Sequence, residues 1–282
     1  MQCPLNWTVK RRKGKVRSVE RAMETKIASS VKVPIVQELV KEKLTTVPPR
    51  YHRRDNDHLI LSDPSSLPEI PVINMQNLLN TDLMDSELHK LDKASQEWGF
   101  FQLINHGVGS EPFRDAIEAY SAEVKVLAIK MLNFMAKALH MKAEEMKTLF
   151  KEVSQSMRMN YYPPCPQPEL VTGLYPHSDA NALTILLQVN EIEGLQIKKD
   201  GFWIPVSPLP NAFVINIGDI LEIVTNGAYR SIEHRATVNT KKERLSIATF
   251  HSPNLDCDIG PAPSLVAPET PAKFRRTTVE CG

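Results

Sequence analysis

The sequence has few cysteines and no long apolar segment. Its four cysteines lie at positions 3, 165, 257 and 281, and no two of them form a C-x-x-C pair. Scattered cysteines argue against a disulfide framework and against a closed structural zinc site, and they favour a reducing, cytoplasmic setting. The longest apolar runs, such as 182–189, are far shorter than the roughly 20 residues of a membrane-spanning helix.

An excess of charge of either sign is also lacking. The chain carries 34 basic and 33 acidic side chains in 282 residues, which gives no reason to expect nucleic acid or an anionic membrane as a partner. The exception is the basic stretch 1–22, which has no apolar periodicity. We predict that it is a disordered extension, with a transit peptide as the alternative.

The order of apolar and turn-forming residues predicts an α+β fold. Residues 34–40, 86–98 and 111–150 have the composition or apolar spacing of helices, the last as one long helix or two. Short strands are expected at 70–73 and within 100–107, the second running into a turn. After residue 154, apolar or β-branched runs at 184–189, 195–198, 213–217, 231–238 and 245–250 alternate with turn residues. This pattern is typical of a jelly roll, here a double-stranded β-helix core with packed helices.

The strand-rich region contains residue types that suit a metal. His177 and Asp179 stand at i and i+2, which share a face in an extended segment, and His234 lies in a later predicted strand. Two imidazoles and one carboxylate leave coordination positions open, as a non-haem iron(II) oxygenase requires. His106 and His251 also lie near strand ends, and we assign them structural roles.

Arg244 and Ser246 share a face of the strand that follows His234. A guanidinium group is a planar cation that matches a carboxylate in a two-pronged geometry, and inside a barrel it needs an anionic partner. A dicarboxylic keto-acid would supply that anion while its 2-oxo end chelates iron. The alternative is a surface arginine that follows the charged residues 241–243.

Several segments together resemble the plant 2-oxoglutarate/iron(II) dioxygenase superfamily, and most of all its senescence-related, codeine and thebaine O-demethylase-like branch. The resemblance covers about residues 32–275. It is carried by Ile70–Ile73, Trp98–Val108, Asn160–Pro168, His177–Asp179, Gly194–Gln196, Asn216–Asp219, Ser231–Arg235 and Arg244–Ser246.

The resemblance implies roles for individual residues. It implies that Fe(2+) is bound by His177, Asp179 and His234. It implies that 2-oxoglutarate is bound by Arg244, Ser246, Tyr162, Asn160 and Arg158. Phe250 is expected to face the organic substrate, with a core position as the alternative.

The resemblance also implies a reaction. Dioxygen is the second co-substrate, and ascorbate is a candidate reductant. The expected protein is a monomer that hydroxylates or O-demethylates a small plant metabolite of alkaloid or flavonoid type, with release of succinate and CO2. Two alternatives stay open: a catalytically impaired isoform that binds metal or 2-oxoglutarate, and a metal-dependent hydrolase or isomerase on the same barrel.

The chain departs from the family pattern in two places. Ser110 is followed directly by Glu111, where relatives carry a further segment, and the chain stops soon after Thr277, where relatives continue into a C-terminal helix. We therefore predict five regions: an extension (1–22), an incomplete N-terminal domain (23–110), a helical segment (111–152), the jelly-roll domain (153–255) and a truncated tail (256–282).

Overall fold

A computed structural model of the chain describes residues 41, 44–52, 68–107, 113–254 and 258–278. The predicted extension at 1–22, the predicted helix at 34–40 and the junction at 110–111 lie outside the described residues.

Most of the described helices precede the main run of strands. They are α1 (Met75–Leu79), α2 (Met84–Glu97), α3 (Phe113–Ala138) and α4 (Ala143–Leu149), whereas α5 (Asp219–Val224) lies between two strands. The segment predicted as one helix or two therefore forms two, and His140 between them has a positive φ of 53°. The predicted end of α2 at Gly99 is confirmed, since Gly99 has a φ of 63° and a side chain there would overlap the carbonyl oxygen of Arg230. None of the helices in the described ranges is long and apolar enough to cross a bilayer.

The described strands form a large sheet, a smaller sheet and a short ribbon. The large sheet has the order β1-β2-β8-β5-β10-β3, the smaller one has the order β4-β9-β6-β7, and β11 pairs with β12. All pairs are antiparallel except β1 with β2. The strands are β1 (Val72–Asn74), β2 (Phe100–Ile104), β3 (Ser154–Tyr162), β4 (Leu174–His177), β5 (Leu183–Gln188), β6 (Leu195–Lys199), β7 (Phe202–Pro205), β8 (Phe213–Ile217), β9 (His234–Ala236), β10 (Arg244–Ser252), β11 (Asp258–Ile259) and β12 (Thr277–Thr278).

The central strands β2, β5 and β8 of the six-stranded sheet are largely buried on both faces. Because side chains alternate along a strand, Phe101 and Phe213 pack with the helices, in one cluster with Met131 of α3. Their neighbours Phe100 and Val214 belong to a second cluster, which includes Leu195, Ile197 and Ile204 of the four-stranded sheet. The result is the predicted α+β class: helices cover one face of the large sheet, and two sheets face each other as in a jelly roll.

His106 and His251 each contact a backbone carbonyl, the structural role expected for them. Nε2 of His106 lies 3.1 Å from the carbonyl oxygen of Asn211, and its ring packs 4.2 Å from that of Phe213. His251 is fully buried, and its Nδ1 lies 3.3 Å from the carbonyl oxygen of Leu183. Burial lowers the pKa of His251 from 6.5 to about 4.

We expect His251 to make stability fall in mild acid. Because its pKa is lower in the folded state, the unfolded chain takes up the proton first as the pH falls. The contribution of neutral His251 to the free energy of unfolding is therefore complete above about pH 6.5 and is lost as the pH falls towards 4. At about 1.4 kcal/mol per pKa unit, the loss between pH 7 and pH 5 is about 2 kcal/mol. Urea unfolding at pH 7 and at pH 5 should show that His251→Gln loses less free energy of unfolding between these pH values than the wild type does. An equal loss in the two proteins would contradict the prediction.

Candidate metal centre and anion site

The two predicted histidine ligands lie side by side on neighbouring strands. β4 ends at His177 and β9 begins at His234, and these residues are direct partners in the register. Asp179 follows β4, and its Oδ1 lies 3.6 Å from Nε2 of each histidine. The three ligand atoms all lie within 4.8 Å of one another. This spacing suits one ion with metal–ligand bonds of about 2.1 Å.

Both histidines are oriented by their other ring nitrogen. Nδ1 of His177 lies 2.7 Å from the carbonyl oxygen of Tyr175, and Nδ1 of His234 lies 3.2 Å from that of Ile232. A carbonyl accepts a hydrogen bond, so Nδ1 carries the proton and Nε2 keeps its lone pair for a metal. Burial also lowers the pKa of His234, which favours the neutral imidazole that binds metals.

The donor set fits iron(II) with open coordination positions. Among the described residues, His177, Asp179 and His234 are the group of histidine, cysteine or acidic side chains placed to hold a metal ion. They line a cavity of about 480 Å³ between the two sheets. Two nitrogens and one oxygen on one side of a metal leave the cavity side free for other ligands. Iron(II) held by these three residues would chelate a 2-oxo acid and activate dioxygen.

Arg244 is a buried cation in the same cavity. The residue is only 3% exposed, so the alternative of a surface arginine is wrong. Its Nη1 donates to Oγ of Ser246 at 3.3 Å and its Nη2 to Oε1 of Gln188 at 3.1 Å. The ring of Tyr162 lies 5.5 Å away. Among the described residues, these partners are neutral and Nε has no hydrogen-bond partner.

Burial without an anion is costly for a guanidinium group, and burial lowers the pKa of Arg244. A carboxylate ligand in the cavity would compensate the charge and accept from the fork of donors. Arg244 is thus suited to bind the distal carboxylate of a dicarboxylic keto-acid.

The other predicted co-substrate residues lie on β3, opposite Arg244 and its neighbours on β10. The register pairs Arg244 with Tyr162, Ser246 with Asn160, and Ala248 with Arg158. All six residues line the cavity, and Nδ2 of Asn160 lies 3.4 Å from Oγ of Ser246. The structure therefore brings the predicted set together. Arg158 lies four residue pairs farther along the ladder than Tyr162.

Phe250 lines the cavity and also packs against the apolar cluster between the sheets. The position of Phe250 therefore fits both interpretations, a residue that faces the organic substrate and a residue of the apolar core. Sequence reasoning missed three polar residues on the cavity side: Gln188, which contacts Arg244, and Thr184 and Asn216, which contact Asp179. The available signal was the alternation of Thr184, Leu186 and Gln188 along one face of β5.

Gly194 leaves the space that the Arg244 side chain occupies. A Cβ at residue 194 would lie 2.6 Å from Cδ and 3.1 Å from Nε of Arg244, and 3.0 Å from the carbonyl oxygen of Thr237. Adding a methyl group to a packed site costs roughly 1–3 kcal/mol, and about 1.4 kcal/mol corresponds to tenfold in affinity.

We expect Gly194→Ala to weaken 2-oxoglutarate binding by about tenfold, with metal affinity unchanged. Titration of the metal-loaded protein with 2-oxoglutarate checks this. Gly260→Ala is a control, because that glycine packs on Arg276 instead. Equal 2-oxoglutarate affinity in wild type and Gly194→Ala would refute the prediction.

Comparison with known proteins gives two family matches. Residues 153–253 match the 2OG-Fe(II) oxygenase superfamily. Residues 70–123 match the N-terminal region described as non-haem dioxygenase in morphine synthesis. These matches agree with the predicted resemblance.

Individual relatives are similar over most of the chain. Oxoglutarate-dependent flavonoid 7-O-demethylase 1 of Ocimum basilicum is 47% identical, over 89% of this chain and 86% of the relative. Thebaine 6-O-demethylase of Papaver somniferum is 41% identical, over 91% of this chain and 92% of the relative. The crystal structure of JOX2 with 2OG, Fe and JA superimposes with a TM-score of 0.74 at 29% identity, over 88% of this chain and 92% of that one. The predicted fold is thereby confirmed.

These relatives contain residues that this chain lacks. The match with the flavonoid demethylase extends over 323 aligned positions, and that with thebaine 6-O-demethylase over 337. Both stretches are longer than the whole chain of 282 residues. This agrees with the prediction of a missing internal segment, while its place at Ser110 and the five predicted regions stay predictions.

Proposed function

Because the chain belongs to the 2OG-Fe(II) oxygenase superfamily, we propose that it hydroxylates or O-demethylates a small, largely apolar plant metabolite of alkaloid or flavonoid type. The observation that carries the proposal is the joint presence, in one cavity, of the His177, Asp179 and His234 cluster and of the buried Arg244, whose side-chain partners among the described residues are neutral. Relatives that demethylate a flavonoid and thebaine support the substrate class.

The cavity residues divide into two working groups. Arg244 and Ser246 bind the distal carboxylate of 2-oxoglutarate, and Asn160 and Tyr162 complete that end from β3. Beyond them, Leu186, Ala248 and Phe250 give the wall an apolar surface on which an organic ring can pack. A cavity of about 480 Å³ lies within the usual range for small-molecule sites.

Hydroxylation and O-demethylation are one reaction on different carbons. One oxygen atom of dioxygen enters the substrate and the other enters succinate, as 2-oxoglutarate loses CO2. When the hydroxylated carbon belongs to a methoxy group, the resulting hemiacetal expels formaldehyde and leaves a free hydroxyl. The residues of the cavity hold the methoxy or C–H group of the substrate near the metal and keep the co-substrate in its binding position.

A panel of methoxylated flavonoids and alkaloids tests the proposal. The purified chain is supplied with Fe(2+), 2-oxoglutarate and air, and succinate, formaldehyde and organic products are quantified together. Demethylation gives one formaldehyde per succinate, and hydroxylation gives a heavier product without formaldehyde. His234→Ala is the inactive control. Succinate formation that no member of the panel stimulates would argue against this substrate class.

A second candidate is a catalytically impaired isoform that binds metal or 2-oxoglutarate. The observation that favours it is the length of the aligned stretches, which exceed the chain itself. The described part of the sheet also ends at β3, where Met159 is 51% exposed. An edge strand with exposed apolar side chains is less stable than a covered one.

We expect insertion of the corresponding segment of the flavonoid 7-O-demethylase between Ser110 and Glu111 to raise both melting temperature and succinate formation. Burial of a few hundred Å² of apolar surface contributes several kcal/mol at about 25 cal/mol per Å², comparable with the stability of a domain. A Gly/Ser insertion of equal length is the control. A short chain that is as stable and as active as the extended one would refute the second candidate.

The hydrolase or isomerase alternative gives Arg244 no role and is not supported by the family matches. Activity that persists without dioxygen would support the hydrolase or isomerase alternative. The monomeric state, the cytoplasmic location and the use of ascorbate stay predictions.

A further inference from the structure

One oxygen of Asp179 is held by two buried side chains. Oγ1 of Thr184 donates to Oδ2 at 2.6 Å, and Nδ2 of Asn216 donates to the same oxygen at 2.8 Å. All three residues are buried. The other oxygen, Oδ1, is the one that lies 3.6 Å from Nε2 of both His177 and His234. The two carboxylate oxygens therefore have different partners.

The strand register places the two donors beside each other. Thr184 on β5 and Asn216 on β8 are direct cross-strand partners. The same transverse row continues to Phe100 on one side and Phe250 on the other, and all four residues line the cavity. The support for Asp179 is thus built into the sheet rather than into a loop.

Asn181 also contacts the Thr184 hydroxyl. Nδ2 of Asn181 lies 2.9 Å from the carbonyl oxygen of Leu183 and 3.0 Å from Oγ1 of Thr184. The hydroxyl group has one proton, which can be donated to Oδ2 of Asp179 at 2.6 Å or to Oδ1 of Asn181 at 3.3 Å, and the carboxylate oxygen is the nearer acceptor. Donation to a carboxylate is also the stronger of the bonds open to it.

We propose that Thr184 and Asn216 are positioning residues that restrict Asp179 to coordination of the metal through Oδ1 alone. Rotation that brings Oδ2 to the metal would break two charge-assisted hydrogen bonds in a buried site. Single-oxygen coordination keeps one more metal position free for ligands from the cavity. The assignment rests on the proposed function only in requiring that the cluster holds a metal ion.

A merely structural role is the competing explanation. In that case the two donors stabilise a buried carboxylate and do not affect how it coordinates a metal. The two explanations differ in the spectrum of a bound metal, because a change from one to two Asp179 oxygens changes the coordination number.

Co(2+) is the probe, because its visible absorption reports coordination number without any turnover. The variants are Thr184→Val and Asn216→Leu, which keep approximate shape and remove the donors, and the double variant. Thr184→Ser keeps the hydroxyl group that Thr184→Val removes. Thr249→Val is the matched control. Thr249 is a fully buried threonine of the same sheet, but it lies on the face of β10 that points away from the cavity.

Loss of residues that support a metal ligand typically weakens metal binding by roughly ten- to a hundredfold. We expect an increase of that size in the Co(2+) dissociation constant of the double variant, together with an altered visible spectrum. Thr184→Ser and Thr249→Val should match the wild type. If near-ultraviolet circular dichroism shows that the double variant does not fold, the Co(2+) affinity and the visible spectrum of the two single variants test the assignment instead.

Unchanged Co(2+) affinity and spectrum in the folded variants would overturn the assignment. Weaker binding with an unchanged spectrum would also overturn it, because it would leave the two residues a structural role only. A wild-type chain that binds no Co(2+) would instead overturn the proposed function, and the assignment with it.

Discussion

Replacement of His234 by alanine is expected to remove both iron binding and turnover of 2-oxoglutarate. His234 supplies one of three ligand atoms that lie within 4.8 Å of one another. The two ligands left on one side of the ion cannot hold iron firmly. The same loss is expected for His177→Ala and Asp179→Ala, although the alanine at 179 also leaves Thr184 and Asn216 without their acceptor.

The measurement is iron content after anaerobic loading and desalting, followed by succinate formation in air. His89→Ala is the matched control, because His89 is an exposed histidine of α2. The control should retain iron and activity. Substantial turnover by His234→Ala with iron still bound would refute the ligand assignment.

Arg244→Lys is expected to weaken 2-oxoglutarate binding by roughly one to three powers of ten while iron affinity stays the same. Lysine keeps the charge but loses the planar fork, so it cannot contact Ser246, Gln188 and a carboxylate with the geometry of Arg244. Loss of one partner of a buried charge pair costs about 2–5 kcal/mol, and about 1.4 kcal/mol corresponds to tenfold.

Anaerobic titration of the iron-loaded protein with 2-oxoglutarate measures this effect. Arg275→Lys is the control, because Arg275 is exposed and does not line the cavity. An unchanged dissociation constant in Arg244→Lys would show that Arg244 does not bind the co-substrate. Together with the His234 variant, this experiment separates the metal-binding end of the cavity from the anion-binding end.

The fold could be predicted from sequence where one face of an element is apolar. The strands β5, β6, β8 and β10 are buried on both faces or nearly so, and their apolar runs predicted them within one or two residues. α2 was predicted from its apolar spacing and from Gly99. These elements form the interior of the sheets, where burial and sequence pattern agree.

Strand β3 could not be predicted in the same way. It is the last strand in the described part of the large sheet, and its cavity-facing residues Arg158 and Asn160 are polar, as the proposed anion site requires. β4 contains Pro176 and has only four residues, and α5 has six. Short elements that carry functional polar residues lack the apolar periodicity on which sequence interpretation depends.

The candidate site was predictable in its metal ligands and in the residues that the family resemblance marks for the co-substrate, but not in the buried side chains that contact Asp179. His177, Asp179, His234 and Arg244 are residue types with few structural uses in a strand, so their spacing indicated their chemistry. Thr184 and Asn216 stand within apolar runs, and only the register of β5 with β8 shows that both reach Asp179.

Conversion of 2-oxoglutarate to succinate by the purified chain is the most direct test of the account. The reaction is run with and without Fe(2+), and under air and under argon, beside His234→Ala. We predict succinate only when the wild-type chain, Fe(2+) and dioxygen are all present. Absence of succinate from the complete mixture, or equal amounts from wild type and His234→Ala, would contradict the account.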